Sequence, residues 1–80
     1  MFINKTEDGR NNLCGIQIAK YRKEMKISQR QLADKLQESG LDVDKNAIQR
    51  MESGDRFITD IELVHLSRVL NKSFAELIGL

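Results

Sequence analysis

Apolar positions along the chain fall in short stripes of three- and four-residue spacing, and most stripes are preceded by the same local signature. In Ile27-Ser28-x-x-Gln31-Leu32 a hydroxyl residue opens the stripe. A Gln three positions later can reach back to its amide, and the flanking Ile and Leu are spaced to touch. That is a capping box with a hydrophobic staple. The arrangement returns as Ile58-Thr59-x-x-Glu62-Leu63, and Ser73-x-x-Glu76-Leu77 repeats the box with the aliphatic stem of Lys72 in the staple position. Val43-Asp44-x-x-Ala47-Ile48 keeps cap and staple but lacks the acid. Upstream, Asn12 can cap a helix running to about Met25, in which Cys14, Ile18, Tyr21 and Met25 recur at helical steps. The pattern predicts an all-α chain of five helices.

The stops agree with the starts. Gly40 follows Gln37-Glu38-Ser39 and Gly54 follows Met51-Glu52-Ser53, each where a left-handed residue can close a helix without a Cβ penalty, and the chain has no Pro. Helices this short do not stand alone in water, so their stripes must share one core. The expected members are Ile18, Leu32, Ala33, Leu36, Ile48, Met51, Ile61, Leu66, Leu70, Phe74 and Leu77. Residues 12–80 read as the domain, and residues 1–11 as an N-terminal arm or flexible segment.

Composition narrows the class. Eighty residues make one domain, and 40% hydrophobic with 31% charged residues exclude general disorder. No apolar run approaches the roughly 20 residues that span a bilayer, so a soluble protein without membrane contact is expected. A single Cys forms no intramolecular disulfide and the first nine residues lack the apolar stretch of a signal peptide, which points to the cytoplasm.

The segment Asp44 to Ser53 divides by face. Ala47, Ile48 and Met51 lie on one side; Lys45, Asn46, Gln49 and Arg50 lie on the other. Lys and Arg can donate to guanine O6 and N7, and Asn and Gln can pair in bidentate fashion with adenine. Taken alone, such a face is more often simply a solvated one. The preceding helix changes the weighing. Ser28 to about Ser39, followed by a connection and then this segment, is the order of a helix-turn-helix, with Gln29 in the first turn where backbone amides can meet a phosphate.

These residues resemble the Cro/cI-type, or Xre-type, helix-turn-helix transcriptional regulators. The resemblance runs from about Leu13 to Leu77. It is carried by Ile18-x-x-Tyr21-Arg22, Ile27-Ser28-Gln29-x-x-Leu32-Ala33-x-x-Leu36, Ile48-x-x-Met51-Glu52-x-Gly54, and Ile61-Glu62-Leu63 with Leu66, Leu70, Ser73 and Leu77. It implies a compact five-helix, lambda-repressor-like DNA-binding domain whose second and third helices form the helix-turn-helix. It further implies a homodimer on a palindromic operator and no catalytic activity. By position, Lys45, Asn46, Gln49 and Arg50 are the implied base-contacting residues. Ser28, Gln29, Arg30 and Arg56 are the implied phosphate contacts, and Arg22 and Glu52 match an ion pair joining the first helix to the end of the third. The connection departs from the family's usual four or so residues, because Gln37 to Val43 separate Leu36 from Asp44. The insertion is expected to lengthen the second helix.

Other chemistry finds little support. Cys14 and His65 have no partners that would organise a metal site or a triad, so no cofactor, metal or small-molecule ligand is expected. The acids Glu52, Asp55, Asp60 and Glu62 form a loose group, two of them already assigned to a cap and an ion pair. The five glycines are isolated, so no phosphate loop is present. The C-terminal Phe74 to Leu80 carries more apolar surface than one short helix buries. Val69, Ile78 and Leu80 are therefore dimer-interface candidates, with capping of the monomer as the other role. Double-stranded DNA is the expected partner, and a repressor the expected role. A protein-interaction or antitoxin-like module on the same fold is the alternative.

The net charge of +1 argues against polybasic binding, but it is unevenly spread. Residues 20–35 hold Lys20, Arg22, Lys23, Lys26, Arg30 and Lys35 against Glu24 and Asp34, whereas residues 36–80 hold five bases against eight acids.

Overall fold

Each of the four caps starts a helix in the computed structural model, which describes residues 5–80. Ser28 Oγ accepts from the Gln31 amide at 3.0 Å and opens α2 (Gln29–Glu38). Asp44 Oδ1 accepts from Ala47 N at 2.8 Å and opens α3 (Lys45–Ser53). Thr59 opens α4 (Asp60–Leu70) and Ser73 opens α5 (Phe74–Ile78). The reciprocal bonds from Gln31, Glu62 and Glu76 back to the cap amides are all formed, so each box satisfies two amides that the helix cannot. The first helix begins differently. α1 (Cys14–Glu24) has Leu13 at the cap position with no side-chain bond, and Asn12 supplies the acceptor from one residue earlier, taking the Gly15 amide at 2.8 Å.

One hydrophobic core gathers Cys14, Ile18 and Tyr21 of α1, Leu32, Ala33 and Leu36 of α2, Ile48 and Met51 of α3, Leu66 and Leu70 of α4, and Leu77 of α5. Two expected members are corrected. Ile61 is 66% exposed, because α4 buries the row Glu62, Leu66 and Leu70, and Ile61 lies off that row. Phe74 is 52% exposed: at the first residue of a five-residue helix it falls outside the space that Leu77 fills. Val43 joins the core from outside any helix.

Val43 also explains how the long connection is held. α2 continues through Gln37 and Glu38, and Gly40 then turns the chain at φ +105°. The Leu41 amide bonds back to Leu36 O at 2.9 Å, and Gln37 Nε2 donates to Val43 O at 2.6 Å. Ser39 Oγ donates to Leu36 O and meets His65 Nδ1 of α4 at 2.9 Å. Buried Val43 and these bonds fix the entry to α3.

The segment ahead of Asn12, assigned from the sequence to an arm or flexible stretch, is bonded to the far end of α3. Asn11 N donates to Gly54 O at 2.8 Å, its Nδ2 donates to Asp55 O, and Arg10 Nη2 donates to Glu52 O at 2.8 Å. Met1 to Asn4 lie outside the described residues. Among the described residues no helix is long and apolar enough to cross a membrane.

Two backbone positions generate predictions. A Cβ on Gly15 would collide with the Met51 carbonyl oxygen, so only a residue without a side chain lets α1 approach α3 this closely. Gly15→Ala is expected to cost roughly 3 kcal/mol in urea unfolding, at the upper end for overpacking, because the obstacle is backbone. Conversely, Lys26 turns the chain out of α1 at φ +59°, where a side chain is strained. Lys26→Gly is expected to raise stability by about 1 kcal/mol, the relief of strain exceeding the entropy that glycine adds to the unfolded chain. An unchanged urea midpoint would contradict this.

Candidate nucleic-acid interface

The outward face of α3 is set by its inward one. Ile48 and Met51 are fully buried and Ala47 half-buried, which leaves Lys45, Asn46, Gln49 and Arg50 exposed on the opposite side. Lys45 and Gln49, like Asn46 and Arg50, are one turn apart and form adjacent rows. Among the described residues none of these four side chains makes a hydrogen bond or an ion pair within the chain. Their donors and acceptors are therefore available to a ligand. The start of this row borders a shallow open groove lined by Arg30, Asp34 and Gln37 of α2 with Asp44, Lys45 and Asn46.

The rear of the same helix is fixed by a charged network. Arg22 Nε donates to Glu52 Oε2 at 2.7 Å and Arg22 Nη2 donates to Glu52 Oε1 at 3.0 Å, a bidentate fork between α1 and α3. Arg22 Nη1 donates to Ile27 O at 2.9 Å, so the same guanidinium grips the turn that leads into α2. Gln29 Nε2 donates to Glu52 Oε1 at 3.0 Å. The side chains of Arg22 and Glu52 are only 11% and 9% exposed, and the hydrogen bonds to Glu52 hold the Arg22 pKa above its ordinary value. One buried acid thus joins α1, α2 and α3.

The implied phosphate contacts sit in different states. Gln29 stands in the first turn of α2, with one amide hydrogen given to Glu52 and the other unassigned. Arg30 is exposed. Ser28 Oγ is occupied as a cap acceptor but keeps its own hydrogen to donate. Arg56 donates from Nη1 to Glu62 Oε2 at 2.9 Å, and Glu62 also closes the α4 capping box. Its guanidinium is one-third exposed and shares its charge with that carboxylate. The three interface candidates separate as well. Val69 and Ile78 pack against the core, while Leu80 is 91% exposed.

Contacts of two residues complete the support of α3, and sequence reasoning foresaw neither, having read Asn12 only as the cap of α1. Asn12 Nδ2 donates to Met51 O at 3.0 Å and to Arg56 O at 2.7 Å, and Arg10 adds its cation at the carbonyl end of the helix, where the dipole favours positive charge. Their partners lie some 40 residues away, and no local pattern marks them. Burial pushes the Cys14 thiol pKa up, which keeps it protonated and unreactive. Among the described residues no cluster of three or more His, Cys, Asp or Glu is placed to hold a metal.

A helix-turn-helix family model matches residues 18–77, from the middle of α1 into α5, and so spans the network and the exposed face together. No curated protein and no solved structure matches the chain.

Removing one partner of the network should be worse than removing both. Glu52→Ala leaves the Arg22 cation nearly buried without a counter-ion and is expected to cost about 3–5 kcal/mol in urea unfolding. Arg22→Met combined with Glu52→Leu is expected to recover most of that loss. A double variant as unstable as Glu52→Ala would show that the charges themselves, and not their pairing, carry the stability.

Proposed function

The chain belongs to the Cro/cI-type helix-turn-helix family of DNA-binding regulators, and from that premise we propose that it reads a specific operator as a homodimer and represses transcription by occluding a promoter. The observation that carries this reading is the face of Lys45, Asn46, Gln49 and Arg50, exposed on α3 with no partner among the described residues.

The roles follow from chemistry. Lys45 and Arg50 donate to guanine O6 and N7, and Asn46 and Gln49 pair with adenine at N6 and N7, as α3 lies in the major groove. Gln29, Ser28 and Arg30 meet phosphate at the N-terminus of α2, where free amides and the helix dipole favour an anion. Gln29 is held there by Glu52, so its position relative to α3 is set before DNA arrives. Arg56 adds a phosphate contact from its exposed edge. A palindromic operator mirrors a two-fold protein, with half-sites about one helical turn apart. Val69, Ile78 and Leu80 are candidates for the two-fold contact, Leu80 being the one that projects into solvent.

Selection of bound sequences from random duplex DNA, followed by salt titration on the selected site, tests the reading. Arg50→Ala and Lys45→Ala are each expected to cost about 1–3 kcal/mol on the selected site and to relax preference at one base position. Gln29→Ala is expected to weaken all duplexes alike. Absence of duplex binding at low salt would defeat the proposal.

A further inference from the structure

The long connection between α2 and α3 needs a support that a short one does not. A helix-turn-helix turn of roughly four residues sets the angle between its helices through its own backbone, whereas every added residue brings two more soft torsions. Most bonds of this connection stay inside it. Gln37 Nε2 donates to the Val43 carbonyl and the Leu41 amide returns to Leu36 O, which ties the connection to α2 and to nothing else. Buried Val43 anchors its far end in the core. The near end is reached from α4, 26 residues on in the chain, where His65 Nδ1 lies 2.9 Å from Ser39 Oγ.

The direction of that bond is settled by its neighbour. Ser39 Oγ also lies 2.7 Å from the Leu36 carbonyl oxygen, which has no hydrogen to give, so the single hydroxyl hydrogen is spent there. His65 Nδ1 must then carry the hydrogen of the second bond and donate it to Ser39 Oγ. The relay from His65 through Ser39 ends on the carbonyl that also receives the Leu41 amide at 2.9 Å. The imidazole lies against the turn as well: a Cβ on Gly40, where φ is +105°, would stand 3.8 Å from His65 Cε1.

We infer that His65 is a positioning residue for operator reading. From α4 it sets the path of the connection, and so the direction in which α3 presents Lys45, Asn46, Gln49 and Arg50. The inference rests on the operator-binding reading and adds to it a determinant of specificity that lies outside the helix-turn-helix and touches no DNA. Packing does not need this side chain. Leu66 and Leu70 hold α4 in the core, and Ile48 and Met51 hold α3, while His65 is half-buried and Ser39 exposed. What His65 supplies is one donor at one point of the connection, and a shift there is passed to every base contact of α3 together.

Binding of the full chain to its selected duplex and to a scrambled duplex of equal length, at one salt concentration, tests the brace. His65→Phe keeps a ring beside Gly40 but has no donor. It is expected to lower the ratio of selected to scrambled affinity about three- to tenfold, the worth of one hydrogen bond, with scrambled binding unchanged. Ser39→Ala removes the acceptor and should do the same; because Ser39 is exposed, this variant gives a folded protein on which the ratio is read in any case. The double variant should lose no more than either single one, since both break one relay. His65→Asn, whose amide nitrogen stands at the same δ position, should recover most of the ratio. A part in packing only would lower both affinities alike through the folded fraction and leave the ratio alone. An unchanged ratio in His65→Phe and Ser39→Ala, losses that add in the double variant, or a His65→Asn protein as impaired as His65→Phe would each overturn the assignment. Failure of the operator reading looks different: the wild type then prefers no duplex, while the Leu41 amide still exchanges its hydrogen faster in His65→Phe and Ser39→Ala than in the wild type.

Discussion

The structure depends on one nearly buried carboxylate. Glu52 accepts two bonds from Arg22 and one from Gln29, and Arg22 in turn holds the Ile27 carbonyl. Taking both charges out of water is costly, and burying leucine in their place would be at least as stabilising. What the pair provides is geometry. A guanidinium fork fixes its carboxylate in plane and direction, so three helices that share only an apolar core are locked at one mutual angle. A recognition helix must be held in this way, because apolar contacts alone tolerate sliding and a base contact does not.

The two ends of α3 are secured by different means. At its start, Asp44 caps the helix and Val43 inserts into the core, so the long connection enters along a fixed path. At its end, Gly54 turns left-handed, and Asn12 and Arg10 take the last carbonyls. Gly15 allows the backbones to approach closely enough for those bonds to form. The Arg50, Met51 and Glu52 carbonyls near that end are thus used inside the fold, whereas the outward side chains have no partner among the described residues. The division matches a helix built to be rigid in its placement and open in its chemistry.

Much of this was legible in the sequence, for a physical reason. Capping boxes are local: a hydroxyl and an acid or amide three residues apart meet wherever a helix starts, so Ser28, Thr59 and Ser73 could be read without knowing the fold. The outward face of α3 was legible for the same reason, since helical periodicity alone separates Ile48 and Met51 from Arg50. Periodicity failed where an end effect overrode it. Ile61 and Phe74 sit in first turns and have the spacing of core residues, but neighbouring elements do not reach them. The ion pair came from resemblance, not from pattern, and the bonds of Arg10 and Asn12 to α3 came from neither, because a bond across some 40 residues has no local trace.

The placement of the acids gives the near-neutral charge a meaning. Glu52 and Glu62 are matched by Arg22 and Arg56, and Asp44, Glu62 and Glu76 lie at helix N-termini where backbone amides answer them. The field around α3 therefore comes mainly from Lys45, Arg50 and Arg30, which have no such partners among the described residues. Asp34 and Asp44 line the same groove as Arg30, Lys45 and Asn46, between α2 and the start of α3. An acid beside a basic reading face weakens attraction to any polyanion in a random pose, and it costs least in the pose that keeps phosphates on the basic side. A uniformly basic face would bind duplex DNA in many registers; a face with acids on one flank binds more weakly but disfavours the wrong ones. If the domain reads an operator as proposed, the balance of 13 basic and 12 acidic residues serves discrimination, since the bulk charge that would drive indiscriminate binding is absent while the local charge beside α3 is kept.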